Sequence, residues 1–290
     1  MAIVLGPNQY GKAGIHLVVV HRDGDVHTVR DLTVRTALRG DLAATHLVGD
    51  NTHVPATDTQ KNTVHAFASD GVGEIEDFAL RLARHFTAGQ ESITEARVLV
   101  DEQSWHRLPD NGHSFGLGGT ERRTTAVVVA GDAHRVVSGV RDLVLLKTTG
   151  SEFHGFPRDR YTTLADTDDR LLATSVTARW RLQGAPDWAQ SHAEARRLLV
   201  SAFATHHSLS LQHTLHAMGE AVLAARPEIA EVRLSMPNRH HFAVDLDAFG
   251  PTGADAVYHA ADRPYGLIEG TVLRDDAEDA GPAWRGLPEF

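Results

Sequence analysis

The sequence contains no cysteine. Thiolate zinc sites, iron–sulfur clusters, disulfide scaffolds and cysteine nucleophiles are therefore excluded. Cationic side chains are in the minority, 28 Lys and Arg against 38 Asp and Glu, for a net charge of −10 with histidine neutral. A chain this acidic carries no general electrostatic footprint for nucleic acid or an anionic membrane, so neither is expected as a partner. An anionic ligand would need a local cationic pocket working against the global field. No apolar run approaches the ~20 residues that a membrane helix needs. Residues 1–8 lack a cationic leader region and residues 286–290 match no C-terminal address, so a cytoplasmic protein is the expectation. There is also no Gly-x-Ser-x-Gly elbow and no dinucleotide fingerprint, which leaves hydrolase and nicotinamide readings without support.

Most of what is present reads as strand. Ile15, Leu17 and Val19 alternate with His16 and Val18, and Asp23-Gly24 turns the chain into Val26-His27-Thr28-Val29. That pattern predicts a hairpin. Further β-rich runs cover 96–100, 124–130, 143–147, 172–182, 231–235, 242–246 and 266–273, and their β-branched content favours antiparallel sheet. Three segments switch to a period near 3.6. Residues 74–86 put Ile75, Phe78, Ala79, Leu82 and Phe86 on one face; 187–203 open with Pro186-Asp187; 209–225 follow Ser208 as an N-cap and close before Pro227. The order predicts two α+β units, residues 1–138 and 139–274. Residues 275–290 read as a surface tail whose Trp284 and Leu287 would anchor on a neighbouring subunit.

Nineteen histidines invite a metal reading, above all His213-x-x-His216, His206-His207 and His240-His241. Positions i and i+3 share a helix face, but no acidic residue follows at a metalloprotease-like offset, so no metal site is assigned. Gly116-Leu117-Gly118-Gly119 opens no helical pattern and is read as a flexible loop. Four polar segments remain within the β-type chain. They are Gln9-Tyr10-Gly11-Lys12; Ala56-Thr57-Asp58-Thr59-Gln60-Lys61-Asn62-Thr63; the stretch from Phe153-His154-Gly155-Phe156 to Asp169-Arg170; and Ser235-Met236-Pro237-Asn238-Arg239-His240-His241-Phe242. Singly, each reads as a turn or a cap: Ala56-Thr57-Asp58 as a helix start, Pro237-Asn238 as a turn.

In this order and spacing the segments resemble the urate oxidase (uricase) family. The specific pieces are Ala56-Thr57-Asp58-x-x-Lys61-Asn62-Thr63, Phe153-x-Gly155-Phe156-x-Arg158-Asp159-x-Tyr161-Thr162-Thr163-Leu164 and Pro237-Asn238-x-His240-x-Phe242. The resemblance implies two tandem tunnelling-fold (T-fold) domains, antiparallel sheets with helices on one face, and four chains around a central tunnel. It implies oxidation of urate by O2 to 5-hydroxyisourate and hydrogen peroxide with no cofactor. Active sites would lie between subunits, with Lys12, Thr57 and Asp58 from one chain. The neighbour would supply Phe153, Arg170, Leu211, Gln212, Asn238 and His240.

By the same resemblance, Arg170 and Gln212 would grip the polar edge of the purine and Phe153 would stack on its face. The backbone N–H groups of Asp58 and Leu211 would add donors. Lys12, Thr57 and His240 would relay the proton, burial favouring the neutral amine. Thr57 and Asn238 would face each other across the ring plane and hold O2, then peroxide or the attacking water. Arg158 and Asp159 are expected to pair with each other and position their loop. Two other readings stand beside this one: a non-catalytic purine-binding protein, and another T-fold enzyme using metal-bound histidines.

Overall fold

Alternating residues 15–23 form β1 (Ile15–Asp23), which turns at Gly24 into β2 (Val26–Gly40). The computed structural model describes residues 1–250 and 256–287. Three helices follow: α1 (Ala43–Val48), α2 (Thr57–Ser69) and α3 (Ile75–Ala88). The chain then re-enters the sheet as β3 (Ile93–Arg107), β4 (Phe115–Ala130), β5 (Ala133–Lys147) and β6 (Leu172–Leu182). Two more helices, α4 (Trp188–Thr205) and α5 (Leu211–Ala225), precede β7 (Ile229–Ala243) and β8 (Tyr258–Leu273). All eight strands pair antiparallel in sequence order, β1 to β8, in one sheet. The plan β-β-helices-β-β therefore occurs twice, with Gly131 and Asp132 at the turn between the halves, and residues 138 and 139 lie inside β5.

Period-two alternation sorts the sheet into two faces. On one, Leu32, Val34, Val98, Val100, Val127, Val136, Trp180, Val232 and Leu234 pack under the helices in a continuous core. Phe78, Leu82 and Phe86 of α3 and Leu199 and Phe203 of α4 close it; each such side chain, fully buried, contributes ~1.5–3 kcal/mol. The opposite face is studded with Arg35, Arg97, Arg179, Arg181 and Arg233, each beside residues whose side chains enter the core. Across it runs 275–287, which the sequence reading placed on the surface and aimed at a neighbour. Arg181 and Arg97 donate to the carbonyls of Glu278 and Pro282, and the Trp284 indole donates to Glu231 at 3.0 Å under the Arg233 guanidinium. Ala283 is buried, and Trp284 and Leu287 pack beside it with Leu99, Ala126 and Val137. An indole is too large an apolar surface to leave wet when the chain's own sheet offers both a carboxylate and a cation.

The halves are joined by buried charge. Glu76 of α3 is 1% exposed and accepts from Arg123 of β4 at 2.7 Å and Ser138 of β5 at 2.6 Å, while Trp188 of α4 donates to Asp77 of α3. His192 of α4 lies over Trp180 with its Nε2 buried and unpartnered. Burial, with Arg123 and Arg196 nearby, pushes its pKa down to about 3, against an ordinary 6.5. From about pH 6.5 down to 3 the unfolded chain therefore binds the extra proton, and stability falls with pH by up to ~1.4 kcal/mol per unit. Urea melts at pH 7 and pH 5 should show this loss, and His192→Gln should flatten it. An unchanged acid slope in that variant would remove His192 as its source.

Several local expectations are revised. Pro237 and Asn238 lie within β7, paired to β8 across a bulge between Asn238 and His240, instead of forming a turn. Residues 242–246 are no separate strand, since β7 runs through and ends at Ala243. Gly116, Leu117 and Gly118 belong to β4, opposite Trp105 and His106 or their neighbours, so the glycine run is paired chain and not a loop. Ser210, not Ser208, caps α5; the Ser208 hydroxyl is engaged with Thr214 and the Ser210 carbonyl.

Candidate active site

Two groups of residues form, at separate places in the sheet. The first surrounds Lys12. Its backbone exchanges hydrogen bonds with Thr36 of β2: Thr36 N–H donates to the Lys12 carbonyl at 2.8 Å, and Lys12 N–H to the Thr36 hydroxyl at 3.1 Å. That hydroxyl donates in turn to the buried Gln60 amide of α2 at 2.7 Å. Only glycine fits before Lys12, because a Cβ at Gly11 would stand 1.9 Å from the Thr36 carbonyl oxygen. Tyr10 pairs with Leu38 and donates its hydroxyl to Pro55; burial raises its pKa to about 12, so it stays a neutral donor.

α2 starts beside this cradle. Its N-cap position is Ala56, which supplies no side-chain acceptor, and the first helical bond comes from Gln60 N–H to the Ala56 carbonyl. The N–H groups of Thr57, Asp58 and Thr59 therefore lack intrahelical partners and carry the positive end of the dipole. The Asp58 carboxylate does not cover them. It turns back to Lys61 at 2.5 Å and Asn62 at 2.9 Å, and the Lys61 hydrogen bond, followed by that residue's charge, holds its pKa low. A helix start with its own acid folded away is ready for an anionic edge.

The second group gathers where β6, β7 and α5 meet. Phe153 exchanges both backbone hydrogen bonds with Thr167, at 2.8 and 3.0 Å, and Arg170 N–H donates to Ser151. These bonds place the Arg170 guanidinium 5.3 Å from the Phe153 ring centroid, and Phe156 stacks on the same ring at 5.1 Å. Arg170 Nε is buried with no partner, and burial lowers its pKa. A guanidinium stays charged even so, and no ion pair among the described residues compensates this cation on its aromatic face. His240 stands close enough that Arg170, after burial, is the second cause lowering its pKa. Its imidazole is neutral near pH 7 and able to accept a proton. Asn238, buried in β7, lies opposite Thr174. Ser208 ties the start of α5 to this group by accepting from Glu152 N–H; one turn on, Leu211 is buried and Gln212 exposed.

Of the predicted site residues, then, Lys12, Thr57 and Asp58 collect in the first group, and Phe153, Arg170, Leu211, Gln212, Asn238 and His240 in the second. Five strand spacings of ~4.8 Å, roughly 24 Å along the sheet, separate β2 from β7. No hydrogen bond or ion pair among the described residues joins the groups. The expected Arg158–Asp159 pair does not form: Arg158 reaches Asp166 at 3.0 Å, while Asp159 accepts from Thr162 and from Tyr161 N–H, as befits a tight turn. Among the histidines, His206 meets His213 at 3.2 Å and His216 faces Glu220, but no group of three or more potential ligands that could hold a metal ion occurs among the described residues. Thr36 and Gln60 escaped sequence reading. Their role is visible only once β2 and α2 are packed, although Gly11 beside Lys12 was a signal of close backbone approach.

The chain matches the family model described as Uricase over residues 8–128 and 136–269. It is 49% identical over 289 residues to the uricase of Arthrobacter globiformis, covering 99% of this chain and 96% of that protein. To the uricase of Dictyostelium discoideum it is 35% identical, covering 92% and 96%. It superimposes on the crystal structure of the A. globiformis uricase with a TM-score of 0.94 over 98% of this chain and 99% of that one. The urate oxidase of Bacillus sp. TB-90, only 21% identical, shares the fold with a TM-score of 0.81 over 92% of this chain and 100% of that one. The duplicated β-β-helices-β-β sheet with helices on one face is thus that of solved uricases, and this chain belongs to the uricase family.

Proposed function

We propose that the chain is a urate oxidase, converting urate and O2 to 5-hydroxyisourate and hydrogen peroxide without a cofactor, in a homotetramer whose active sites are shared between subunits. The observation that carries the shared site is the separation of two complementary half-sites on one chain. One offers an amine, a hydroxyl and a helix start; the other offers a guanidinium, an aromatic face and a neutral imidazole. A flat purine anion needs both, and a second copy brings them together. Non-catalytic purine binding would require only the second half, so the ordered placement of Lys12 and Thr57 favours turnover.

In this scheme the purine lies on Phe153 with its polar edge on Arg170 and Gln212. The unpartnered N–H of Asp58 and that of Leu211 add donors from two helix starts. The Lys12 amine takes a proton through the Thr57 hydroxyl, with His240 as the next acceptor. The substrate dianion supplies the electrons that reduce O2, which is held over the ring between Thr57 and Asn238. The protein contributes orientation and water exclusion.

The test is complementation. Purified chain should remove urate absorbance with uptake of O2 and release of peroxide. Lys12→Met and Arg170→Ala chains, each inactive alone, should recover about a quarter of native activity when unfolded and refolded together at equal amounts, because random pairing rebuilds one intact site in four. No recovery would sink the shared site, and no turnover by the native chain would sink the oxidase.

A further inference from the structure

Two parts of the second half-site arrive on irregular chain. Phe153 sits in the connection 148–171 between β5 and β6, and Leu211 and Gln212 follow the connection 206–210 between α4 and α5. Connections of this kind hold a fixed spacing when bonds run between them. Segment 206–208 is anchored first. Lys147 at the end of β5 donates to the His206 carbonyl at 2.6 Å, Ser208 N–H donates to the Gly150 carbonyl at 3.0 Å, and the His206 ring meets His213 of α5 at 3.2 Å. Glu152 then binds this segment twice. Its N–H donates to the Ser208 carbonyl at 2.8 Å, and its carboxylate accepts from the His207 ring on Oε1 at 2.7 Å. The other oxygen, Oε2, accepts from His154, the residue after Phe153. The Glu152 side chain is 18% exposed, against 48% for His154 and 61% for His207, so the carboxylate lies beneath a pair of surface rings. The bond from His207, then that from His154, holds its pKa low and keeps it an acceptor.

We propose that Glu152 is a positioning residue for urate, fixing the Phe153 ring at the distance from the start of α5 that a flat purine requires. This rests on the urate oxidase reading. A purine stacked on Phe153 and gripped by Gln212 spans the two connections. The Glu152–His207 bond spans the same gap, from the residue before Phe153 to the segment that leads into the Ser210 cap of α5. A hydrogen bond to a carboxylate is short and directional, which suits it to setting such a spacing. His154 lies in the same connection as Glu152, so its bond orients the carboxylate without crossing the gap. Pairs at the surface add little to global stability, so the effect falls on binding and not on folding. Lys12 and Thr57 stand in the other half-site, so the chemical step is spared once urate is bound.

Calorimetric titration with urate in the absence of O2, beside steady-state rates in its presence, tests this on the full chain. Glu152→Ala and His207→Ala should each weaken urate binding and raise KM about five- to tenfold, with kcat within about twofold of native. The double variant should be no weaker than either single one, because both remove the same bond. His154→Ala should stay within about twofold of native in KM. His207 is exposed, so its variant reads the bond even if Glu152→Ala folds poorly. Native affinity in Glu152→Ala and His207→Ala, losses that multiply in the double variant, a His154→Ala loss equal to that of His207→Ala, or a fall in kcat at unchanged KM would overturn the inference alone. A native chain that neither binds nor oxidises urate would remove the oxidase reading and this inference with it.

Discussion

Lys12→Met should lower turnover by roughly 100- to 10,000-fold, the usual contribution of a positioned general base. Inhibitory purines should still bind within a few-fold of native affinity. Methionine keeps an unbranched stem one atom shorter than that of lysine, and the bonds that position residue 12 are made by its backbone to Thr36, itself locked to Gln60. The strand therefore stays in place while the amine disappears. Steady-state rates, set beside calorimetric binding of a non-reacting purine, separate the two effects. Equal losses in rate and in binding would make Lys12 a structural or binding residue and leave the relay without its base.

The second large effect falls on binding. Arg170→Ala should weaken purine affinity about 100-fold or more, which corresponds to ~3 kcal/mol for a lost bidentate, charge-assisted contact. Folding should be nearly unaffected. The backbone of residue 170 stays bonded to Ser151, and the guanidinium removed is one whose Nε is buried without a partner. The same change takes away the positive charge that, after burial, holds the His240 pKa down. The acid limb of any residual activity should thus move to higher pH, because a histidine relieved of a neighbouring cation protonates earlier as pH falls. Arg170→Lys should restore little, since an ammonium offers a point charge in place of a planar fork. An affinity unchanged in Arg170→Ala would place the purine somewhere else.

Much of this molecule can be read from its residues in order. Period-two alternation announced β1 and β2, and the 3.6-residue spacing of Ile75, Phe78, Leu82 and Phe86 announced α3, because both patterns follow from which side chains must leave water. Turn and cap chemistry was less legible. Pro237-Asn238 has the composition of a turn, yet β6 and β8 on either side hold it extended in β7. The glycines near 116–119 read as loose chain, but pairing with β3 makes them strand. Ser208 and Ser210 are equally good caps by type, and only the hydrogen bond from His213 N–H to the Ser210 hydroxyl separates them.

The sequence by itself determined which chemistry is available: no thiol, alternating strands, and motif residues able to grip and deprotonate a flat anion. The residue types and their order carry that, because hydrophobic period and side-chain chemistry are local properties of the chain. Packing decided the rest. Only the sheet order puts Lys12 at one side and Arg170 at the other, only the fit of β2 on α2 makes Thr36 and Gln60 supports, and only the crossing of 275–287 turns Trp284 inward. These are contacts between residues distant in sequence, and they depend on the volume and burial of the whole fold, quantities that no local pattern encodes.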